Sequence, residues 1–153
     1  MKIRRAHKAD VPAAADLIVR TKRLNSEFDP LFVVAKNAKS SSERYASATL
    51  EAKDRFLLVA VEGTKVVGVI RAELRARIFY EPGMEGLITD FYMLPEFRRR
   101  ALGAKMLERA STELKKMGAQ IIVAEFPSRN EIAASFYTKR GFRSIVQLFA
   151  KNP

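Results

Sequence analysis

The chain has 153 residues, 28 Lys and Arg against 17 Asp and Glu for a net charge of +11, one His and no Cys. That length fits one domain, residues 1–153, and folding at this size buries roughly 68–70% of the unfolded surface, enough for a core without covalent staples. The absence of Cys excludes disulfides, thiol nucleophiles and zinc–thiolate sites, and agrees with a reducing, cytoplasmic setting, while the positive charge favours encounter with acidic or phosphate-bearing partners.

Met1–Asp10 is charged and lacks the apolar core of a signal peptide, and no run approaches the ~18 apolar residues needed to cross a bilayer. No membrane association is expected. His7 reads as a solvated residue, so neither Ser-His-Asp chemistry nor a metal site is expected. Lys2 to Arg5 suits a short edge strand. Asp10 is placed to cap a helix with Pro12 in its first turn and Ala14, Leu17, Ile18, Thr21 and Leu24 along one stripe. Asn25 to Ser42, with Asp29-Pro30 and three serines, reads as a loop before a second helix starting near Ser42.

Phe56 to Val61 is a continuous apolar run suited to a buried strand, and Glu62-Gly63-Thr64-Lys65 suits a hairpin turn into the next. From Val67 the pattern alternates: Ile70, Ala72, Leu74 and Ala76 on one face, Arg71, Glu73, Arg75 and Arg77 on the other, which reads as solvent-facing. Glu81-Pro82-Gly83 breaks the chain before a strand from Leu87 to Leu94. After the next turn a helix carries Met106, Leu107, Ala110, Leu114 and Met117 on one stripe and stops at Gly118. A strand at Ile121 to Phe126, a helix from Asn130 to Arg140 ended by Gly141, and a last strand from Phe142 to Ala150 complete the order. The expected fold is α+β: one domain with a mixed, mostly antiparallel sheet and helices on both faces.

The most informative stretch runs from Ile88 to Met117. An apolar strand meets Pro95, then Arg98-Arg99-Arg100, a tight Ala101-Leu102-Gly103 turn and a helix. A helix start offers unpaired N–H groups and the positive end of its dipole, Gly103 allows close backbone approach, and the arginines add forked donors. A diphosphate fits such a place.

The stretch Leu94-Pro95-Glu96-Phe97-Arg98-Arg99-Arg100-Ala101-Leu102-Gly103-Ala104, followed by Asn130, Ala133, Phe136, Tyr137 and Gly141-Phe142, resembles two motifs of the GNAT superfamily of acetyl-CoA-dependent N-acetyltransferases. The element order agrees from Lys2 to Ala150, and the motifs lie in the C-terminal two-thirds. Ala101 stands where the family usually has a glycine; its methyl is acceptable at negative φ and crowds the pyrophosphate at positive φ.

The resemblance implies acetyl-CoA as acetyl donor and no metal. It places Phe91, Tyr92 and Met93 along the pantetheine arm, with the Met93 N–H polarising the thioester carbonyl, and Arg98, Arg99, Arg100, Ala101, Leu102, Gly103 and Ala104 around the pyrophosphate. It gives Asn130 a cofactor contact and Tyr137 both cofactor contact and protonation of the departing thiolate. The base is Glu125, on the strand before Asn130, or Asp90, which strand parity turns to the opposite face unless a bulge intervenes. The expected reaction is direct attack by a primary amine, at a protein or peptide N-terminus or a lysine, in a monomer or homodimer. The alternative is a non-catalytic coenzyme A-sensing or nucleic-acid-binding module.

Overall fold

The computed structural model describes residues 1–98 and 101–153. Arg99 and Arg100, two of the expected pyrophosphate donors, lie outside the described residues. Five strands form one sheet in the order β1-β2-β3-β4-β5: β1 Lys2–Arg5, β2 Arg55–Glu62, β3 Lys65–Ala76, β4 Met84–Met93 and β5 Ile121–Ala124. The first four are antiparallel, and β5 joins β4 in parallel. The helices are α1 Val11–Asn25, α2 Ala38–Glu51, α3 Leu102–Lys116 and α4 Glu131–Thr138.

β2 is buried through Phe56–Ala60, as an unbroken apolar run demands when both sheet faces are covered. α2 covers one face, where the Arg71 guanidinium of β3 lies over the Tyr45 ring. α3 covers the other, where the glycines of β3 and β4 admit it: a Cβ on Gly68 would lie 2.9 Å from Met106 Sδ, and one on Gly86 2.8 Å from Leu114 Cδ1. The apolar stripe of α3 is buried through Met106, Leu107, Ala110 and Leu114. Gly118 follows at φ 108°, the left-handed stop expected of that glycine.

Four local readings change. The serine run belongs to α2, which starts at Ala38: Ser40 bonds back to the Asn37 carbonyl, and Ser42 donates to the Ala15 carbonyl of α1 at 2.8 Å, so the hydroxyls find acceptors within the helix pair. Arg71 is buried, because α2 covers that face of β3 there; alternation marked two faces, and at Arg71 both are inside, whereas Arg75 further along is exposed. Ile121 to Phe126 is a strand only as far as Ala124. Phe142 to Ala150 forms no strand, and Ile145, Val146, Leu148 and Phe149 are exposed. A strand needs a neighbour to hold its backbone bonds, and no described strand pairs with this segment.

Asp10 also differs from its expected capping role. It makes no side-chain cap to α1; instead Arg4 Nη1 and Nη2 reach its two oxygens at 2.6 and 3.2 Å, and the His7 N–H donates at 2.6 Å. The Arg4 hydrogen bond holds this carboxyl below the ordinary aspartate value, against the opposing effect of burial. A depressed carboxyl stabilises the fold above its unfolded value and loses that contribution as pH falls through its folded one. Asp10→Asn is expected to lower the melting temperature at neutral pH, with the gap to the parent closing as acid titrates the aspartate; a pH series of thermal melts checks this.

Candidate active site

Strand β4 changes character halfway. Its first half pairs with β5 from Glu85↔Ile121 to Ile88↔Ala124, after which the Glu125 N–H makes one long bond to the Ile88 carbonyl at 3.4 Å. β4 itself continues to Met93, so from Thr89 onward its β5-side edge has no strand partner among the described residues. At the same point its register with β3 slips: Arg71 faces Asp90 and Ala72 faces Ile88, leaving Thr89 as an extra residue. This is the bulge on which the facing of Asp90 depended.

Beyond the bulge the side chains sort cleanly. Thr89 and Asp90 share the α2 face, where the Tyr45 hydroxyl lies 3.3 Å from Thr89 Oγ1 and 2.8 Å from Asp90 Oδ2. Phe91 meets Phe136 of α4 edge-on at 5.8 Å, and Met93 reaches towards Gly103. Tyr92 lies under the Arg98 guanidinium at 5.2 Å. Arg98 Nε donates to the Met93 carbonyl at 3.1 Å, so this arginine is partly committed to tying down the end of β4.

Helix α3 begins at Leu102. Ala101 is its N-cap at φ 56°, ψ 11°, the left-handed region that L-residues other than Asn and Asp rarely visit, and among the described residues no side-chain hydrogen bond caps this helix end. Leu102, Gly103 and Ala104 form the first turn, where N–H groups lack intrahelical partners. Gly103 sits within the helix rather than in the turn before it. A Cβ there would lie 3.0 Å from Met93 Cε and 3.4 Å from a Phe136 ring carbon, so its first requirement is close packing of α3 against β4 and α4.

Tyr137 is buried among rings: stacked on Phe126 at 5.4 Å, and edge-on to Phe136 and Phe142 at 5.2 Å. Burial pushes its phenol well above the ordinary tyrosine value, so it remains protonated through the neutral range, and no hydrogen bond to its hydroxyl is made among the described residues. Glu125 lies just past the end of β5 and is exposed. Asn130 is the N-cap of α4, its Oδ1 accepting from the Ala133 N–H at 3.1 Å, which leaves its amide NH2 for other contacts.

Reading the sequence did not find what surrounds Asp90. The carboxylate is wholly buried, and Lys22 of α1 reaches Oδ1 at 2.6 Å. Arg71 Nη1 bonds both Thr89 Oγ1 and Glu73 Oε1, and its Nε reaches Thr49. Lys22 falls on the helical stripe pattern one residue after Thr21, but nothing in the sequence says which carboxylate 68 positions later it meets. Above this network lies an open groove of about 630 Å³ between α1, α2 and the segment joining them. Among the described residues no cluster of His, Cys, Asp or Glu could hold a metal ion.

These features fit a coenzyme A thioester: a bare strand edge for the peptide-like pantetheine arm and a helix start for the diphosphate. Residues 21–142 match the acetyltransferase (GNAT) family, and the chain belongs to it. Over 144 residues it is 25% identical to an uncharacterised N-acetyltransferase of Archaeoglobus fulgidus, covering 94% of this chain and 93% of that one. It is 27% identical over 94 residues, 61% of each chain, to N-alpha-acetyltransferase 30 of Schizosaccharomyces pombe. Among solved structures, the aminoglycoside N-acetyltransferase AAC(6')-Iy in complex with CoA shares the fold with a TM-score of 0.79 at 14% identity, covering 99% of this chain and 93% of that one. The protein is an acetyl-CoA-dependent N-acetyltransferase.

Two substitutions probe the helix start. Ala101→Gly is expected to raise stability by about 1 kcal/mol through relief of the left-handed alanine, and to keep or tighten acetyl-CoA binding. Gly103→Val is expected to abolish that binding, since β-branched bulk would meet Met93 and Phe136. Calorimetric titration with acetyl-CoA, alongside a melt to confirm folding, decides both; unchanged affinity in Gly103→Val would remove the phosphate-cradle argument.

Proposed function

We propose that the enzyme acetylates a protein or peptide amine by direct attack, without a covalent enzyme intermediate. The observation that carries this reading is the edge of β4 from Thr89 to Met93, bare of a strand partner on its β5 side among the described residues, together with the start of α3 at Leu102. The edge holds the pantetheine arm through Phe91, Tyr92 and Met93. The amides of Leu102, Gly103 and Ala104 take the diphosphate, with Arg98, Arg99 and Arg100 around it and Asn130 as a further contact. Acetyl-CoA supplies the activated acyl carbon.

The roles divide by environment. The Met93 N–H polarises the thioester carbonyl, as an oxyanion donor. Tyr137, in the role the family resemblance implies, gives its phenol proton to the departing thiolate. An attacking amine must be neutral, and its pKa is about 8 at a peptide N-terminus and about 10.4 on lysine, so a base is useful. Glu125, exposed beside the point where β4 and β5 part, takes that proton directly or through water. Asp90, wrapped by Lys22, Tyr45 and Thr89, is better suited to fixing the site than to exchanging protons.

Two considerations favour a peptide acceptor. A chain at +11 repels polycationic small amines at long range, and one relative bears the name of an N-alpha-acetyltransferase.

Release of free thiol from acetyl-CoA in the presence of peptide amines, with the acetylated product identified by mass spectrometry, tests the reaction. Tyr137→Phe is expected to lower kcat by about 10²–10⁴ while leaving acetyl-CoA affinity intact. Glu125→Gln is expected to shift the pH–rate profile towards alkaline values. Parent-like behaviour of both variants across the neutral range would reject these two roles.

A further inference from the structure

The groove above Asp90 has a one-sided chemistry. Its walls include Ile18 and Val19 from α1 and the consecutive Leu31, Phe32, Val33 and Val34 from the segment joining α1 to α2. Among the described residues Lys22 is the one charged side chain in its lining, and no carboxylate contributes to it. Asp90 underlies the floor but has none of its side chain exposed, whereas Lys22 keeps 45% of its own in the open. The rim is apolar and displayed: Leu31, Phe32 and Val33 are all exposed, on a turn that Asp29 holds by accepting from the Leu31 N–H at 2.9 Å.

We propose, building on the transfer reading above, that this groove selects the acceptor as the α-amino group of a chain whose first residue is large and apolar, such as Met, Leu, Ile or Phe. Position supports the assignment. Tyr45 lines the groove and contacts Thr89 and Asp90, the residues where the β4 edge becomes bare. In the proposed pose a side chain lodged between α1 and α2 directs its own amine past Tyr45 towards the β4 edge that begins at Thr89.

Charge supports it as well. The groove's one cation is already paired with Asp90, and no carboxylate among the described lining residues is left to hold an additional ammonium group, so lysine-first peptides, polyamines and aminoglycosides gain no partner there. It accommodates an α-amine, whose pKa of about 8 leaves a useful neutral fraction near neutrality, better than a lysine side chain at about 10.4. Asn25, Asn37 and Ser41 add neutral hydrogen-bonding groups suited to the peptide backbone that follows.

The test is thiol release with peptides identical except for their first residue: Met, Leu and Phe against Ser, Asp and Lys. A blocked peptide with an internal lysine and an aminoglycoside complete the panel. The expected result is kcat/KM at least about tenfold higher for the apolar starts, as a pocket sensitive to single methylenes gives. Equal or faster transfer to serine, lysine, the blocked peptide or the aminoglycoside would overturn the proposal while leaving the transfer reading in place. Thiol release with none of the amines would overturn both. Val33→Asp, on the exposed rim, supplies a second measurement: it should cut kcat/KM for a leucine start and raise it for a lysine start, and an unchanged ranking in a folded variant would also overturn the proposal.

Discussion

One extra residue in β4 organises the site. Were β4 in unbroken register with β3, Asp90 would share the α3 face with Ile88, among Met106 and Leu114. Because Thr89 is inserted against the Arg71–Ala72 step, Thr89 and Asp90 both turn to α2, and Phe91 and Met93 return to the α3 side to meet Phe136 and Gly103. A period of two makes this all-or-none: a single insertion reassigns every side chain after it. The same step marks where pairing with β5 ends, so the polar floor of the groove and the bare strand edge arise from one local event.

Such a change of face carries an energetic cost that the network around it offsets. A buried carboxylate and a buried guanidinium are each expensive to remove from water unless paired and hydrogen-bonded. Here Asp90 has Lys22, Tyr45 and Thr89, and Arg71 has Glu73, Thr49 and Thr89. No buried side-chain nitrogen or oxygen among the described residues lacks a partner. Burial, with the Asp90 charge next, pushes the Tyr45 phenol far above its ordinary value, so it acts as a fixed donor. The network joins α1, α2, β3 and β4, and this fastens β4 where it loses the support of β5.

The sequence made the α3 stripe and the Gly63 and Gly118 turns legible, because each is written in local residue types: apolar spacing, or a glycine at positive φ. What it hid depends on partners. Arg71 alternates with apolar neighbours, and alternation separates two faces without saying which meets water. The bulge at Thr89 exists only relative to β3, so the residues of β4 alone do not announce it. Phe142 to Ala150 has strand-like composition, but a strand is a relation between segments, and here the second segment is missing among the described ones. Lys22 and Tyr45 come from two helices and meet Asp90 only once the sheet has brought the three together.

Ala101 shows how the pieces constrain one another. A left-handed alanine costs about 1–2 kcal/mol and persists only where its surroundings over-determine it. On one side, Arg98 ties its guanidinium to the Met93 carbonyl and fixes the exit of β4. On the other, Leu102 is buried and Gly103 lies against Met93 and Phe136, so the first turn of α3 cannot slide outward. The strain therefore falls at the N-terminal end of α3, held there by packing that serves the core.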